Sequence, residues 1–208
     1  TEAQKADWMP GFLDGTRRLA FGLTEPNHGS DATYMETTAV RDGDDWVVTG
    51  QKIWTSLAQH ARYGILIART GTDPTASKHT GISYFVCPMD APGIEIRPIT
   101  EITGGHTFNE VFFTDVRIPA ENLVGDLNDG WRLAKVTLGN ERVSLSTGGV
   151  LWGNGPTALE AIESIRAAHP TGVADPHTRQ RIAEVYIEHT LLDLIRLRTL
   201  TAALKGEQ

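Results

Sequence analysis

The hydrophobic pattern of the chain changes near residue 130, and this change limits the folds that the chain can adopt. Before that point, short apolar segments rich in β-branched and aromatic residues alternate with turn residues, as in β-strands. After that point, apolar residues recur at helical spacing. The sequence therefore predicts the α+β class, with an antiparallel β-barrel domain over residues 18–128. Long helices of a partial helical bundle follow over residues 129–208, and residues 1–17 are a linker or the end of a preceding helical domain.

About seven short strands are predicted in the first part of the chain, as expected for a β-barrel or sandwich. The nearly continuous apolar run over residues 64–68 suits a strand with both faces buried. Residues 46–49 and 52–55 are predicted to form a hairpin, because β-branched and aromatic residues flank a turn at Gly50 and Gln51.

The helical part carries clear start and stop signals. Glycines between residues 148 and 155 either end the first helix or kink it. Asp175 and Pro176 are typical of an N-cap and a first helical turn. From Arg179 onward, apolar residues cover more than one helix face, so the helix requires partners on several sides. The sequence also begins without Met and ends inside a helical pattern, and we expect a piece of a longer polypeptide.

Composition excludes several functions. The 208 residues carry 19 basic and 26 acidic side chains, and the net charge of −7 argues against a nucleic-acid-binding surface. No apolar run approaches the length of a membrane span. One cysteine, Cys87, cannot form an intrachain disulfide, which favours a reducing compartment. Neither a metal-ligand spacing of histidines nor a dinucleotide-binding or P-loop glycine motif occurs.

Two segments carry the residue types of a binding site. Residues 21–31 run from a strand into a loop of Thr, Asn, Gly and Ser, whose hydroxyls and free backbone amides suit a phosphate or a ring carbonyl. The alternative is an ordinary turn capped by Ser30 or Asp31. Residues 52–56 hold a Trp and two hydroxyl residues that suit a flat aromatic ring, and the alternative is a core Trp54.

These segments resemble the acyl-CoA dehydrogenase family. The motifs are Thr-Glu-Pro at 24–26 with Gly-Ser-Asp at 29–31, Gly-Gln-Lys-Ile-Trp-Thr-Ser at 50–56, Glu-Val-Phe-Phe-Thr-Asp-Val-Arg-Ile-Pro at 110–119, and then Gly130-Trp131, Leu138 and Glu141-Arg142. The resemblance covers residues 1 to about 168, whereas residues 176–208 are similar by helix type only. It implies the middle β-barrel domain and the first helices of the C-terminal bundle.

The resemblance also implies a reaction, in which FAD and a carboxylate base remove two hydrogens from the α and β carbons of an acyl-CoA thioester. The base takes the α proton and the flavin takes the β hydride. The implied partners are an acyl-CoA substrate, an electron-transfer flavoprotein or similar acceptor, and further subunits of a homo- or hetero-tetramer. The implied location is the bacterial cytoplasm, with the mitochondrial matrix as the alternative.

Residues of the segment 21–31 resemble the cofactor-binding positions of the family. By resemblance, Phe21, Leu23 and Thr24 would lie against the isoalloxazine, with the Thr24 hydroxyl at its pyrimidine edge. Ser30 stands where the family has a hydroxyl near the FAD pyrophosphate and the acyl-CoA, and is therefore also a candidate substrate-binding residue.

The second motif and the helical part supply the remaining candidates. By resemblance, Trp54 would pack against the flavin, and Thr55 and Ser56 would reach its redox nitrogen. Glu141 stands where a minority of members carry the catalytic base, and Arg142 would order it or bind the substrate. Such a base requires a pKa raised by burial. The alternative is a structural Glu-Arg pair whose members, being adjacent on a helix, pair elsewhere.

One departure from the family pattern keeps other functions open. The loop at residues 168–175 has neither the Arg nor the Phe of the family's Arg-x-x-Phe-Gly segment, which approaches the FAD of a neighbouring subunit. This favours, as an alternative, a non-catalytic or half-site partner subunit of a heteromeric dehydrogenase. An acyl-CoA oxidase or a flavin monooxygenase of the same fold is a second alternative. His28 and His106 are weaker site candidates, because loop histidines are usually solvated.

Overall fold

The computed structural model describes residues 1–71, 73, 75–145, 156–172 and 175–206. The chain divides into two compact units, Thr1–Lys135 and Val136–Gln208. The helices are α1 (Glu2–Leu13), α2 (Gly130–Leu145), α3 (Ala158–Ala168) and α4 (Pro176–Leu204). The strands are β1 (Leu19–Gly22), β2 (Thr38–Asp42), β3 (Asp45–Ser56), β4 (Tyr63–Arg69), β5 (Ile82–Pro88), β6 (Ile94–Pro98), β7 (Phe108–Pro119) and β8 (Leu123–Val124).

The strands form one mixed sheet, so the prediction of an antiparallel barrel is correct only in part. The order is β6-β7-β3-β2-β4-β5-β8, and β1 pairs with β4. Strand β1 runs parallel to β4, with Leu19 opposite Tyr63, and β2 meets β4 in parallel at Thr38 and Arg69. Apolar spacing identifies a strand but carries no information on the direction of its neighbour, because side chains alternate in both kinds of ladder.

The predicted hairpin at Gly50 is wrong, because residues 45–56 form a single strand, β3. The hairpin joins β2 to β3 instead, with Asp42 opposite Asp45. Gly50 lies at a register shift between β3 and β7, with φ of +153°. A Cβ at Gly50 would lie 2.6 Å from the Thr37 Cα. The glycine therefore permits a close approach of two backbones inside a strand and does not mark a turn.

Buried side chains of the central strands form the core of the first unit. The apolar run at residues 64–68 lies in β4, where Gly64 and residues 66–68 are buried, which confirms the predicted buried strand. Its neighbour β5 is buried from Ile82 to Cys87. Trp46 packs edge-on against Phe85, with ring centroids 5.5 Å apart.

Helix α4 begins at the predicted capping signal. The Asp175 carboxylate accepts a hydrogen bond from the Thr178 amide at 2.8 Å, and Pro176 is the first helical residue. The predicted break at residues 148–155 lies outside the described residues. Exposed apolar side chains occupy several faces of α4, two of which we name the 187 face and the 185 face. The 187 face consists of Ile187, Leu191 and Leu194, and the 185 face of Val185, Leu192 and Ile195.

Candidate functional site

The loop after β1 presents the first group of predicted site residues. Leu23 is buried at 8% exposure, Phe21 and Thr24 are half-buried, and Ser30 is exposed. Glu25 and His28 exchange backbone hydrogen bonds of 3.3 and 3.1 Å and close a tight turn between them. The loop therefore leaves the strand with its apolar residue inward and its hydroxyl residues accessible.

The end of β3 presents the second group on an irregular piece of strand. The register between β3 and β7 shifts between Lys52 and Thr55. Within this shift Trp54 has φ of +60°, a left-handed conformation that bulky residues rarely adopt. Its side chain is 55% exposed, and its ring contacts Phe108 edge-on at a centroid distance of 6.1 Å. The shift thus turns a large aromatic ring out of the sheet.

The two hydroxyl residues after Trp54 face opposite ways. Thr55 is buried, and in the described part of the chain its Oγ1 has no hydrogen-bond partner, whereas Ser56 is exposed. The buried amide of Asn109 donates to the Thr55 carbonyl at 3.0 Å and to Gln59 Oε1 at 2.6 Å. Asn109 therefore fixes the backbone at this register shift, with Ser56 as the accessible hydroxyl.

The structure brings the two predicted segments into direct contact. The Ile53 amide donates to the Thr24 carbonyl at 2.9 Å. Lys52 Nζ donates to the Leu23 carbonyl at 3.2 Å and to Glu25 Oε1 at 2.7 Å. Residues that precede Trp54 in β3 are thus bonded to the residues on both sides of Thr24.

Lys52 and Glu25 form a buried ion pair, with side chains 0% and 4% exposed. Burial disfavours the charged form and lowers the pKa of Lys52 to about 8, against the opposing effect of Glu25. Burial alone would raise the pKa of Glu25. The charge of Lys52, with hydrogen bonds from Lys52, Thr37 and Glu36, nevertheless holds that pKa below its usual value. Both side chains are therefore charged near pH 7.

Lys52, Glu25 and Asn109 are site-supporting residues that the sequence reasoning did not single out. Glu25 and Lys52 stand inside the two motifs, but a charged residue in a strand or loop is ordinarily exposed. The available signal is the two-residue alternation of β3, in which Lys52 follows the buried Trp46 and Val48 at even-numbered positions. The shift between Val48 and Gly50 adds its extra residue to β7, and the shift within β3 comes after Lys52, so this alternation is intact as far as Lys52.

The predicted catalytic pair lies on α2, in the second unit. Glu141 and Arg142 are successive residues of this helix and both are exposed. Successive helical side chains project about 100° apart, so the two do not share one face. Their assignments as base and substrate-binding residue remain predictions.

The weaker candidates have local roles. His28 Nε2 lies 3.1 Å from Glu36 Oε1, and its ring stacks with Tyr34. The His106 carbonyl accepts a hydrogen bond from the Gln59 side chain at 2.8 Å. Cys87 is buried, and burial raises the pKa of its thiol to about 12, which keeps it protonated and unreactive.

Over residues 1–71, 73, 75–145, 156–172 and 175–206, the structure offers neither a metal site nor a membrane-spanning helix. Those residues contain no cluster of three or more His, Cys, Asp or Glu side chains suited to a metal ion. Within the same ranges, every helix is too short or too polar to cross a lipid bilayer.

The family comparison decides the classification. Residues 20–116 match the profile of the acyl-CoA dehydrogenase middle domain, and this range contains both site segments. The chain belongs to the acyl-CoA dehydrogenase family. Within this acyl-CoA dehydrogenase chain, the loop after β1 and the end of β3 are therefore parts of the middle domain.

Individual relatives extend the match into the helical unit. The acyl-CoA dehydrogenase FadE34 of Mycobacterium tuberculosis is 56% identical over 151 residues, 73% of this chain and 21% of FadE34. The acyl-CoA dehydrogenase IpdE1 of the same species is 40% identical over 187 residues, 89% of this chain and 47% of IpdE1. The solved steroid ACAD Tcur3481-Tcur3483 superposes with a TM-score of 0.85 at 35% identity, covering 99% of this chain and 52% of that one. The chain thus spans about half, or less, of the length of these relatives.

Proposed function

We propose that the protein containing this chain catalyses the FAD-dependent α,β-dehydrogenation of an acyl-CoA thioester. The observation that carries the proposal is the pairing of an exposed Trp54 with the Thr24 loop, joined by the Ile53-to-Thr24 hydrogen bond. A flat ring system fits such a pair, because one segment offers an aromatic wall and the other offers hydroxyl and amide donors.

The residues present suit FAD in their chemistry. The strained backbone at Trp54 supports this fit, because left-handed conformations of bulky residues concentrate at ligand sites. We propose that Phe21, Leu23 and Thr24 line one side of the isoalloxazine, and that Trp54 and Ser56 contact it from β3.

The remaining proposed ligands differ in accessibility. Ser30 is exposed and suits the pyrophosphate and the acyl-CoA. Thr55 is the least accessible proposed ligand, because its hydroxyl is buried. When bound, FAD supplies the acceptor for the β hydride.

Glu141 is the proposed base for the α proton, with Arg142 as its ordering partner or a substrate ligand. A carboxylate removes the weakly acidic α proton when it is held within reach of that carbon. Positioned bases of this kind contribute about 10²- to 10⁴-fold to a rate.

The substrate and partner assignments follow from similarity. The likeness to a steroid ACAD makes an acyl-CoA with a steroid side chain the substrate to test first, beside straight-chain acyl-CoAs. An electron-transfer flavoprotein or similar acceptor would reoxidise the flavin. We propose a homo- or hetero-tetrameric assembly in the cytoplasm of a bacterium, since the relatives FadE34 and IpdE1 are bacterial.

A second candidate function rests on the loop between α3 and α4. The family's Arg and Phe are missing at residues 168–175, so this chain would make fewer contacts with the FAD of a neighbouring subunit. The chain would then be a half-site or non-catalytic subunit of a heteromeric dehydrogenase. An oxidase or a monooxygenase of the same fold is the remaining alternative.

The test uses the full-length protein, purified with FAD. Acyl-CoA addition should bleach the flavin absorbance, and Glu141→Gln should slow bleaching by about 10²- to 10⁴-fold without loss of flavin. Glu163→Gln, an exposed carboxylate on α3, is the matched control and should bleach at the parental rate. Normal bleaching by Glu141→Gln excludes Glu141 as the base. Protein that holds flavin only when co-produced with a partner supports the half-site subunit, and flavin that reacts with O₂ supports the oxidase or monooxygenase.

A further inference from the structure

Lys52 is a fully buried cation to which the proposed reaction assigns no task. Its ammonium group reaches two acceptors, the Leu23 carbonyl and the Glu25 carboxylate. A buried ion pair is a weak source of stability, because the desolvation of two charges offsets their attraction. Apolar residues of similar volume would fill the same space at equal or lower cost, so stability alone does not account for the pair.

Glu25 connects this cation to a third segment. Its Oε1 accepts the Thr37 amide at 3.0 Å in addition to Lys52, and its Oε2 accepts the Glu36 amide. The pair therefore joins the loop after β1, strand β3, and the residues that lead into β2. Both carboxylate oxygens of Glu25 thus have donors, which fixes the geometry at this junction of three segments.

The junction lies between the two segments that carry the proposed flavin ligands. Lys52 precedes Trp54 by two residues in β3, and its two acceptors stand on either side of Thr24. The register shift that turns Trp54 outward begins at Lys52. A movement of the Lys52 ammonium relative to Leu23 and Glu25 would therefore change the spacing between Thr24 and the tryptophan.

We propose that Lys52, through its ion pair with Glu25, is a positioning residue that sets the spacing between the Thr24 loop and Trp54 for binding of the flavin. This role rests on the proposed function. It predicts that the protein loses flavin affinity when the pair is replaced by neutral residues that keep the fold. If the pair were only structural, neutral residues of similar volume would leave the flavin affinity unchanged.

The experiment compares the full-length parent with the double variant Lys52→Met and Glu25→Gln, which removes both charges and nearly keeps both volumes. The control is Lys5→Met with Glu2→Gln, because Lys5 and Glu2 form an exposed pair of the same residue types. Chemical denaturation reports the fold, FAD titration and the flavin absorbance spectrum report the site, and hydrogen exchange over residues 23–37 reports the loop.

The double variant should unfold cooperatively, bind FAD on the order of tenfold more weakly, and shift the flavin spectrum, because preorganised ligands contribute to affinity. Its amides at residues 23–25, 36 and 37 should exchange faster than those of the parent. The Lys5 and Glu2 control should match the parent in all measurements. A folded double variant with parental affinity and spectrum overturns the proposal.

Two outcomes separate this proposal from the proposed function. A folded parent that binds no FAD overturns the proposed function, and equal loop exchange in parent and double variant then overturns the positioning role as well. If the double variant does not fold, Glu25→Asp replaces it, because it keeps a carboxylate charge opposite the buried Lys52 and shortens its reach by one methylene. That variant should weaken FAD binding in the same direction, and unchanged binding overturns the proposal.

Discussion

At the scale of the residue, Trp54 combines an unfavourable backbone with an exposed side chain. A left-handed conformation costs a bulky residue about 1–2 kcal/mol, and the 55% exposed ring recovers little by burial. Trp54→Gly should therefore leave the free energy of unfolding within about 1 kcal/mol of the parent, since relief of strain offsets the lost contacts. Chemical denaturation measures this difference.

The matched variant is Trp46→Gly. Trp46 is 6% exposed and packs on Phe85, so its removal should cost about 3–5 kcal/mol or more. If Trp54→Gly destabilised the protein as much as Trp46→Gly, the strain at Trp54 would have to be compensated by packing. Trp54 would then be a structural residue and not an exposed wall for a ligand.

The buried ion pair predicts a pH dependence with a definite sign. The pKa of Lys52 is lowered from 10.5 to about 8 by burial, so between these values the unfolded chain binds more protons than the folded one. The free energy of unfolding therefore gains a contribution that rises with pH from about 8 to 10.5. The lowered pKa of Glu25 gives a contribution that is complete above about 4.5 and is lost as the solution becomes more acidic.

The difference in unfolding free energy between the parent and the Lys52→Met, Glu25→Gln variant isolates these contributions. Measured by denaturation at a series of pH values, this difference should favour the parent increasingly from pH 8 to 10. A difference that stays flat over that range would mean that Lys52 titrates as it does in the unfolded chain.

At the scale of the element, Gly50 is the residue that makes a twelve-residue β3 possible. Gly50→Ala would place a Cβ 2.6 Å from the Thr37 backbone, with the added strain of a positive φ. It should cost about 3 kcal/mol from overpacking and strain together. Gly43→Ala should cost only about 1 kcal/mol, because Gly43 shares the positive φ but has open space around it. If denaturation gave the same loss of unfolding free energy for both variants, the close approach of Gly50 to Thr37 would not be the reason for a glycine at this position.

Element positions were largely predictable from the sequence, whereas their pairing was not. The buried run of β4 and the Asp175-Pro176 start of α4 are local signals, and both predictions are confirmed. The direction of β1 and the continuity of β3 through Gly50 depend on contacts with β4 and Thr37 that lie far away in sequence. The burial of Lys52 was missed for a different reason, because alternation with Trp46 and Val48 places it inward but a lysine is ordinarily expected at the surface.

At the scale of the whole molecule, the exposed apolar faces of α4 set what the chain requires from the rest of the protein. Six large apolar side chains, on the 187 face and the 185 face, are 44–64% exposed. Such surface on a long helix marks an interaction site. The chain spans about half, or less, of its relatives' length, and we expect the remaining sequence or other subunits to cover both faces.

This expectation distinguishes the 208-residue chain from the full-length protein. The chain alone should self-associate as its concentration rises in sedimentation experiments. Leu191→Gln on the 187 face, or Leu192→Gln on the 185 face, should weaken that association. In the full-length protein each substitution should instead lower the free energy of unfolding by about 1–3 kcal/mol, because a covered leucine is then replaced by a polar group.

Glu163→Gln, at an exposed position on α3 and off both faces of α4, controls for a change to glutamine on a helix and should change neither measurement. If neither Leu191→Gln nor Leu192→Gln lowered the free energy of unfolding of the full-length protein, both faces would stay in water. If only one substitution destabilised it, one face would be covered and the other left open. The two variants therefore test whether α4 is packed on more than one side, as the apolar pattern after Arg179 predicts.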